Sequence, residues 1–121
     1  MVSHERSSAP DVRIEHDSRI ISKSREHHFY MQSNGDLALY KEPGGHNRWR
    51  TETDGKGNAP YTTILEEDGN LRVVEAGGDT LWESGTGGQG EGPYKLKVQD
   101  DGNVVIYDKD KNPTWATNTN E

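Results

Sequence analysis

Gln99-Asp100-Asp101-Gly102-Asn103-Val104-Val105-Ile106-Tyr107 is a polar turn running into an alternating stretch, and the chain writes two earlier versions of it. These are Gln32-Ser33-Asn34-Gly35-Asp36-Leu37-Ala38-Leu39-Tyr40 and Glu66-Glu67-Asp68-Gly69-Asn70-Leu71-Arg72-Val73-Val74. A Trp follows each copy, at 49, 82 and 115, so both Trp-to-Trp steps are 33 residues. A period held that tightly means one small unit used three times, and it decides the fold class ahead of any local propensity.

Within each unit the alternation has period 2. Leu96 and Val98 before the turn, and Val104 and Ile106 after it, share one face; Gln99, Asn103, Val105 and Tyr107 take the other. Leu65, Leu71 and Val73 are the inward set of the second unit, and Met31, Leu37 and Leu39 that of the first. Asp-Gly or Asn-Gly between alternating runs is a strong hairpin signal, because Gly accepts the positive φ of the turn. A third strand, carrying the Trp, closes each unit. No stretch holds an i, i+3, i+4, i+7 pattern, so helical arrays of similar period are excluded and the chain reads as all-β. The expected geometry is three small antiparallel sheets around a pseudo-threefold axis, with Trp49, Trp82 and Trp115 meeting near that axis.

Leu, Ile, Val and Phe supply only 19 of 121 residues, so the core must be a set of narrow seams to which aromatics contribute heavily. The repeats run at about 22–54, 55–87 and 88–121, separated by Gly-rich connectors at 54–58 and 85–90. Val12, Ile14, Ile20 and Ile21 suggest one or two strands ahead of the first repeat. Residues 1–10 read as a loose N-terminal leader, and 11–121 as the domain.

A net charge of −7 gives no basic patch for a phosphate backbone, so nucleic acid is not an expected partner. With no cysteine, neither disulfide nor thiolate chemistry is available. No apolar run is long enough for a membrane span, and the start lacks the apolar core of a signal peptide. The expected location is the cytoplasm, or outside the cell by release without a signal peptide. His27 and His28 are adjacent and splay to opposite sides of a strand, a poor metal geometry. Asp108-x-Asp110-x-Asn112 has the opening of a calcium loop, but Pro113 stands where Gly is required. No metal or other cofactor is expected, and neither a carboxylate pair nor a Ser/His/Asp set can be nominated for catalysis.

The outward row Gln99-x-Asp101-x-Asn103-x-Val105-x-Tyr107 suits a rigid polyol. Its amides donate and accept, its carboxylate accepts, its phenol does either, and Val packs on a C–H face. This row resembles the sugar-binding signature of bulb-type lectins, the monocot mannose-binding or snowdrop-type group, whose fold is the β-prism II. The resemblance covers about residues 20–121, including the closing Trp-Ala-Thr-Asn-Thr at 115–119. It implies a non-enzymatic, metal-independent lectin that recognises terminal α-mannose on high-mannose glycans or glycoproteins. It also implies roles: Asp101 and Asn103 on the axial 2-hydroxyl, Gln99 on the 3-hydroxyl, Tyr107 on the 4-hydroxyl, and Val105 against the C3–C4 edge. A homodimer formed by exchanging the strand around Trp115–Asn120 is allowed by the resemblance and not required by the sequence.

The other copies depart from the pattern. In Gln32-x-Asn34-x-Asp36-x-Ala38-x-Tyr40 acid and amide have changed places and Val has become Ala, which leaves open whether this altered copy binds mannose. In Glu66-x-Asp68-x-Asn70-x-Arg72-x-Val74 the phenol is lost and a long cation replaces the small apolar residue. Arg72 is expected to occupy that pocket, pair with Glu66 and leave the copy silent. Two rival readings remain: a protein–protein module on the same scaffold with vestigial sugar sites, and a sugar-processing enzyme. At one shallow site a monosaccharide should bind at roughly 1 mM, about −4 kcal/mol, so useful binding would require several sites on one particle.

Overall fold

Three hairpins, one per repeat, each take a fourth strand from the first twenty-one residues of the chain. The computed structural model describes Glu5–Ser7 and 12–121, and there the elements are strands only. The N-terminal stretch supplies β1 (Glu5–Ser7), β2 (Val12–Ile14) and β3 (Ser18–Ile21). The first repeat gives β4 (His27–Met31), β5 (Leu37–Lys41) and β6 (His46–Arg50). The second gives β7 (Thr62–Leu65), β8 (Leu71–Val74) and β9 (Thr80–Glu83), and the third β10 (Lys95–Val98), β11 (Val104–Tyr107) and β12 (Pro113–Ala116).

The antiparallel sheets have the orders β3-β4-β5-β6, β2-β7-β8-β9 and β1-β10-β11-β12. Successive N-terminal strands therefore serve three different sheets, and tie the subdomains together at their outer edges. Within the stretch 1–10 read as a loose leader, Glu5, Arg6 and Ser7 form a strand that pairs with Lys97, Leu96 and Lys95, while 1–4 and 8–10 lie outside the described residues. Three residues are too few for an alternation to be legible, so the strand is specified by the open edge of β10 and not by its own pattern.

The inward faces form one core. Ile20, Phe29, Met31, Leu37 and Leu39 come from the first sheet, Leu65, Leu71 and Val73 from the second, and Leu96, Val98, Val104 and Ile106 from the third. At the axis Trp49, Trp82 and Trp115 meet edge-to-face, with ring centroids 5.5, 5.6 and 5.7 Å apart. That is the arrangement in which the positive edge of one ring meets the negative face of the next. It puts three large apolar side chains where the sparse aliphatics cannot reach.

Each hairpin turn packs against a ring of another subdomain. A Cβ built on Gly35 would lie 3.0 Å from the Tyr61 ring, one on Gly69 2.7 Å from Tyr94, and one on Gly102 3.1 Å from His27. All three glycines also have positive φ, between 93° and 97° for the first two and 92° for Gly102. Both the backbone and the neighbouring ring therefore require Gly at the centre of the segment.

Candidate functional site

The 99–107 row stands on a loop braced from within. Gly102 N–H donates to Gln99 O at 3.0 Å, and Gln99 N–H to Asn103 O at 2.9 Å. Asp101 Oδ1 accepts Asn103 N–H at 2.9 Å, the local bond that makes Asp and Asn good turn residues. The closing segment then latches on: Thr119 Oγ1 donates to Gly102 O at 2.6 Å, and Thr117 and Thr119 share a 2.7 Å hydroxyl bond. Asn103 Oδ1 accepts both Thr117 Oγ1 at 3.1 Å and Thr119 N–H at 3.3 Å. With its oxygen so held, the Asn103 side chain has its amide plane fixed and keeps Nδ2 to donate outward.

At the other end of the row Gln99 Nε2 donates to the Tyr107 hydroxyl. Val105 lies between them, 3% exposed, with Lys97 and Ala116 as its register partners. Gln99, Asn103, Val105 and Tyr107 line one shallow cavity of about 420 Å³, completed by Thr114, Ala116 and Asn118 of the closing segment. The structure thus brings together four of the five residues nominated from the sequence. Asp101 is exposed and lies outside the lining. No carboxylate lines this cavity, so the pair of acids that glycoside hydrolysis needs is not assembled there.

The first copy has the same loop with different occupancy. Asn34 Oδ1 accepts Asp36 N–H at 3.0 Å, and Tyr40 donates to Gln32 Oε1 at 3.1 Å. Asp36 is 3% exposed; its Oδ1 accepts Thr51 Oγ1 at 3.0 Å, Glu52 N–H at 2.9 Å and Thr53 N–H at 3.3 Å. Its second oxygen faces Arg50 Nε at 3.5 Å, and the same guanidinium reaches Asp54 at 3.5 Å. Ala38 is fully buried, with Tyr30 and Arg50 as register partners on either side.

The second copy is filled by its own side chains. Arg72 Nη2 pairs with Glu66 Oε2 at 3.1 Å, as the sequence suggested, while Nη1 donates to Thr80 Oγ1 at 2.7 Å. Asn70 is engaged at both ends: Oδ1 accepts from Ser84 Oγ and Gly85 N–H, and Nδ2 donates to Glu83 Oε1 at 2.9 Å. The outward donor that Asn103 keeps is here spent on Glu83.

Sequence reading missed the position after each Trp. Register places Arg50 beside Ala38, Glu83 beside Arg72 and Ala116 beside Val105. Where this residue is long and charged it engages the pocket's own Asp36 or Asn70; where it is Ala the cavity stays open. The signal was present as Trp-Arg, Trp-Glu and Trp-Ala, but only the cross-strand register shows that it faces the row. The rejected calcium motif has a structural explanation, since Asp108 Oδ1 accepts Asp110 and Asn112 N–H at 2.9 Å each and closes the β11–β12 turn.

A threefold β scaffold carrying a fixed row of amide, phenol and apolar groups on one sheet face defines a carbohydrate-binding lectin. Comparison with solved structures places it more closely. A monomeric monocot mannose-binding lectin from Gastrodia elata is 29% identical with a TM-score of 0.85, the alignment covering 98% of this chain and 99% of that one. The mannose-specific agglutinin from snowdrop (Galanthus nivalis) bulbs, complexed with methyl-α-D-mannoside, is 30% identical with a TM-score of 0.77 and 98% coverage of both chains. The Polygonatum cyrtonema lectin complexed with monomannoside is 27% identical with a TM-score of 0.77 and 96% coverage of both. No family profile and no curated sequence matches the chain. The chain belongs to the bulb-type lectin family, the monocot mannose-binding or snowdrop-type group, and its fold is the β-prism II.

Proposed function

We propose that this lectin recognises terminal α-mannose on high-mannose glycans, without a metal ion, and that the 99–107 copy does the work. The observation that carries the reading is the contrast among three equivalent rows. At 99–107 the amide of Asn103 is oriented by its oxygen and keeps its donor, and Ala116 leaves a cavity of about 420 Å³ above Val105. In the other two rows Arg50 and Glu83 take the corresponding groups.

An axial 2-hydroxyl approaching this row meets Asn103 Nδ2 as donor and the exposed Asp101 carboxylate as acceptor. Gln99 and Tyr107 take the 3- and 4-hydroxyls, and Val105 underlies the C3–C4 edge. A sugar with an equatorial 2-hydroxyl leaves the Asn103 donor unmatched, which is how a hydrogen-bonding site discriminates. The mannosides bound by the snowdrop and Polygonatum lectins support this choice of sugar. Among the described residues no three His, Asp or Glu side chains stand where they could hold a metal ion.

The 32–40 copy is assigned as a weaker site. A hydroxyl both donates and accepts, so exchanging Asn and Asp preserves one partner of each kind, but Arg50 competes for the carboxylate. The 66–74 copy is assigned as silent. A strand-exchanged homodimer is not needed by this reading.

Mannan–agarose tests the proposal. Wild type should be retained and eluted by free mannose, and Tyr107→Ala should pass through. Failure of wild type to bind, or equal retention of the variant, would overturn it.

A further inference from the structure

Beside the mannose row, on the far side of Tyr107, lies a second cavity of about 260 Å³ lined by Pro93, Lys95, Lys97, Tyr107, Asp108, Lys109 and Lys111. Subtracting the repeat period from these positions gives a counterpart in the second unit. There Pro60, Thr62, Ile64, Val74, Glu75, Ala76 and Gly78 line a cavity of about 340 Å³ together with Arg13 and Arg72. The hollow is therefore a product of the scaffold, formed where the first hairpin strand meets the turn after the second. Its chemistry is not. Thr, Ile, Ala and Gly in the second unit are replaced by four lysines in the third, and these are four of only seven lysines in a chain of net charge −7. A fold with no need for cations at these positions has gathered most of its lysines there.

The lining combines two kinds of recognition. The Tyr107 ring, the ring of Pro93 and the lysine stems offer apolar surface to C–H groups, and the ammonium groups offer charge. Lys97 Nζ stands 5.8 Å from the Tyr107 ring centroid, so the cationic group nearest the row sits directly beside the phenol. The one carboxylate of the lining, Asp108, is 8% exposed, and its Oδ1 accepts two backbone N–H groups. Glu91 answers Lys109 at 2.8 Å from outside the lining, and Glu5 is the register partner of Lys97 on β1. Ser7 is the register partner of Lys95 on β1, and Lys95 and Lys97 each make a further interaction with neighbouring residues, while Lys111 lines the same hollow from the β11–β12 turn.

We propose that this cavity is an extension of the mannose site, taking an anionic substituent, phosphate or carboxylate, carried by the bound mannose or its neighbour. The inference rests on the mannose reading of 99–107. With Tyr107 on the 4-hydroxyl, the 6-position of the same ring is adjacent to it, and a group attached there points past the phenol into the lysine-lined hollow. The lectin thus prefers mannose bearing a negative charge over neutral mannose, despite its own acidic balance.

The test compares albumin conjugates carrying α-mannose, mannose 6-phosphate, glucose 6-phosphate or mannuronate, at about 0.05 M and 0.5 M NaCl, where the screening length falls from more than 10 Å to only a few Å. At low salt, half-saturation by the mannose 6-phosphate or the mannuronate conjugate should lie at least fivefold below that by neutral mannose. The better of the two identifies the anion, and the advantage should shrink to less than twofold at high salt. Lys95→Gln/Lys111→Asn should lose the advantage and keep neutral binding; Asn at 111 suits the positive φ of 67° found there. Equal binding of neutral and anionic mannose overturns the inference and leaves the mannose site standing. Binding of glucose 6-phosphate as tight as that of mannose 6-phosphate also overturns it, since the lysines then act without the row. If neither neutral nor charged mannose binds, the mannose reading itself fails.

Discussion

Asn103 carries two loads, and they can be separated. Its Oδ1 holds the closing segment through Thr117 Oγ1 at 3.1 Å and Thr119 N–H at 3.3 Å, while its Nδ2 is assigned to the sugar. Asn103→Ala removes both accepted bonds and leaves their donors to find water. A partly buried pair of this kind is worth about 1–3 kcal/mol of unfolding free energy. Asn103→Asp keeps the acceptor, and Asp36 shows that a carboxylate fits the position, accepting from Thr51, Glu52 and Thr53. Its stability loss should therefore be less than half that of Ala. Its mannose binding should still weaken by about 1–2 kcal/mol, roughly fivefold to thirtyfold, because two carboxylates now face one hydroxyl. Adding Asp101→Asn re-creates the order found at 34 and 36 without an arginine over it, so the double variant should recover most of the loss, a coupling that a double-mutant cycle isolates. Urea unfolding and isotherms on a mannosylated conjugate supply both numbers. Wild-type binding by Asn103→Asp would refute the role of Nδ2, and equal stability losses for Ala and Asp would refute that of Oδ1.

Gly102→Ala meets both a φ of +92° and the His27 ring at 3.1 Å, whereas Gly85→Ala meets a φ of +71° and open space. Urea midpoints should show about 1 kcal/mol lost at 85 and clearly more at 102. Arg50→Ala frees the second oxygen of Asp36, and the amides of 32–40 should then respond to methyl α-mannoside; no response would mean that Arg50 is not what closes that copy. Tyr94 is raised above the usual phenol range by burial, with nearby Asp68, Asp108 and Glu91 adding to it, and Tyr30 is raised chiefly by its bond to Asp17. Both stay protonated in the fold after they would ionise in the unfolded chain. Their contribution to stability is complete below the ordinary tyrosine pKa and is lost as pH rises through the folded values. An ultraviolet titration of tyrosinate should show late components that Tyr94→Phe and Tyr30→Phe each remove.

The threefold plan was legible because periodicity survives low apolar content: the alternating sets around Met31, Leu65 and Leu96 and the Trp spacing needed no tertiary knowledge. The N-terminal strands were only half legible. Val12–Ile14 and Ser18–Ile21 show apolar residues, but Glu5–Ser7 is a strand only because the edge of β10 is there to receive it. Of the candidate site, the row itself could be read residue by residue, as could the pairing of Arg72 with Glu66. Arg50, Glu83 and Ala116 could not, because a residue beside Trp gains meaning only from the strand opposite it. The Thr117 hydroxyl and the Thr119 N–H that set the plane of Asn103 were hidden for the same reason.

Amide-resolved NMR titration with methyl α-mannoside tests the account at its centre, since it reports on all three copies at once. Saturable shifts should appear at 99–107 and in the facing 116–118 segment, with the 66–74 copy unmoved and the 32–40 copy unmoved at concentrations that saturate the third. Shifts centred on 66–74, or none at 99–107, would contradict it.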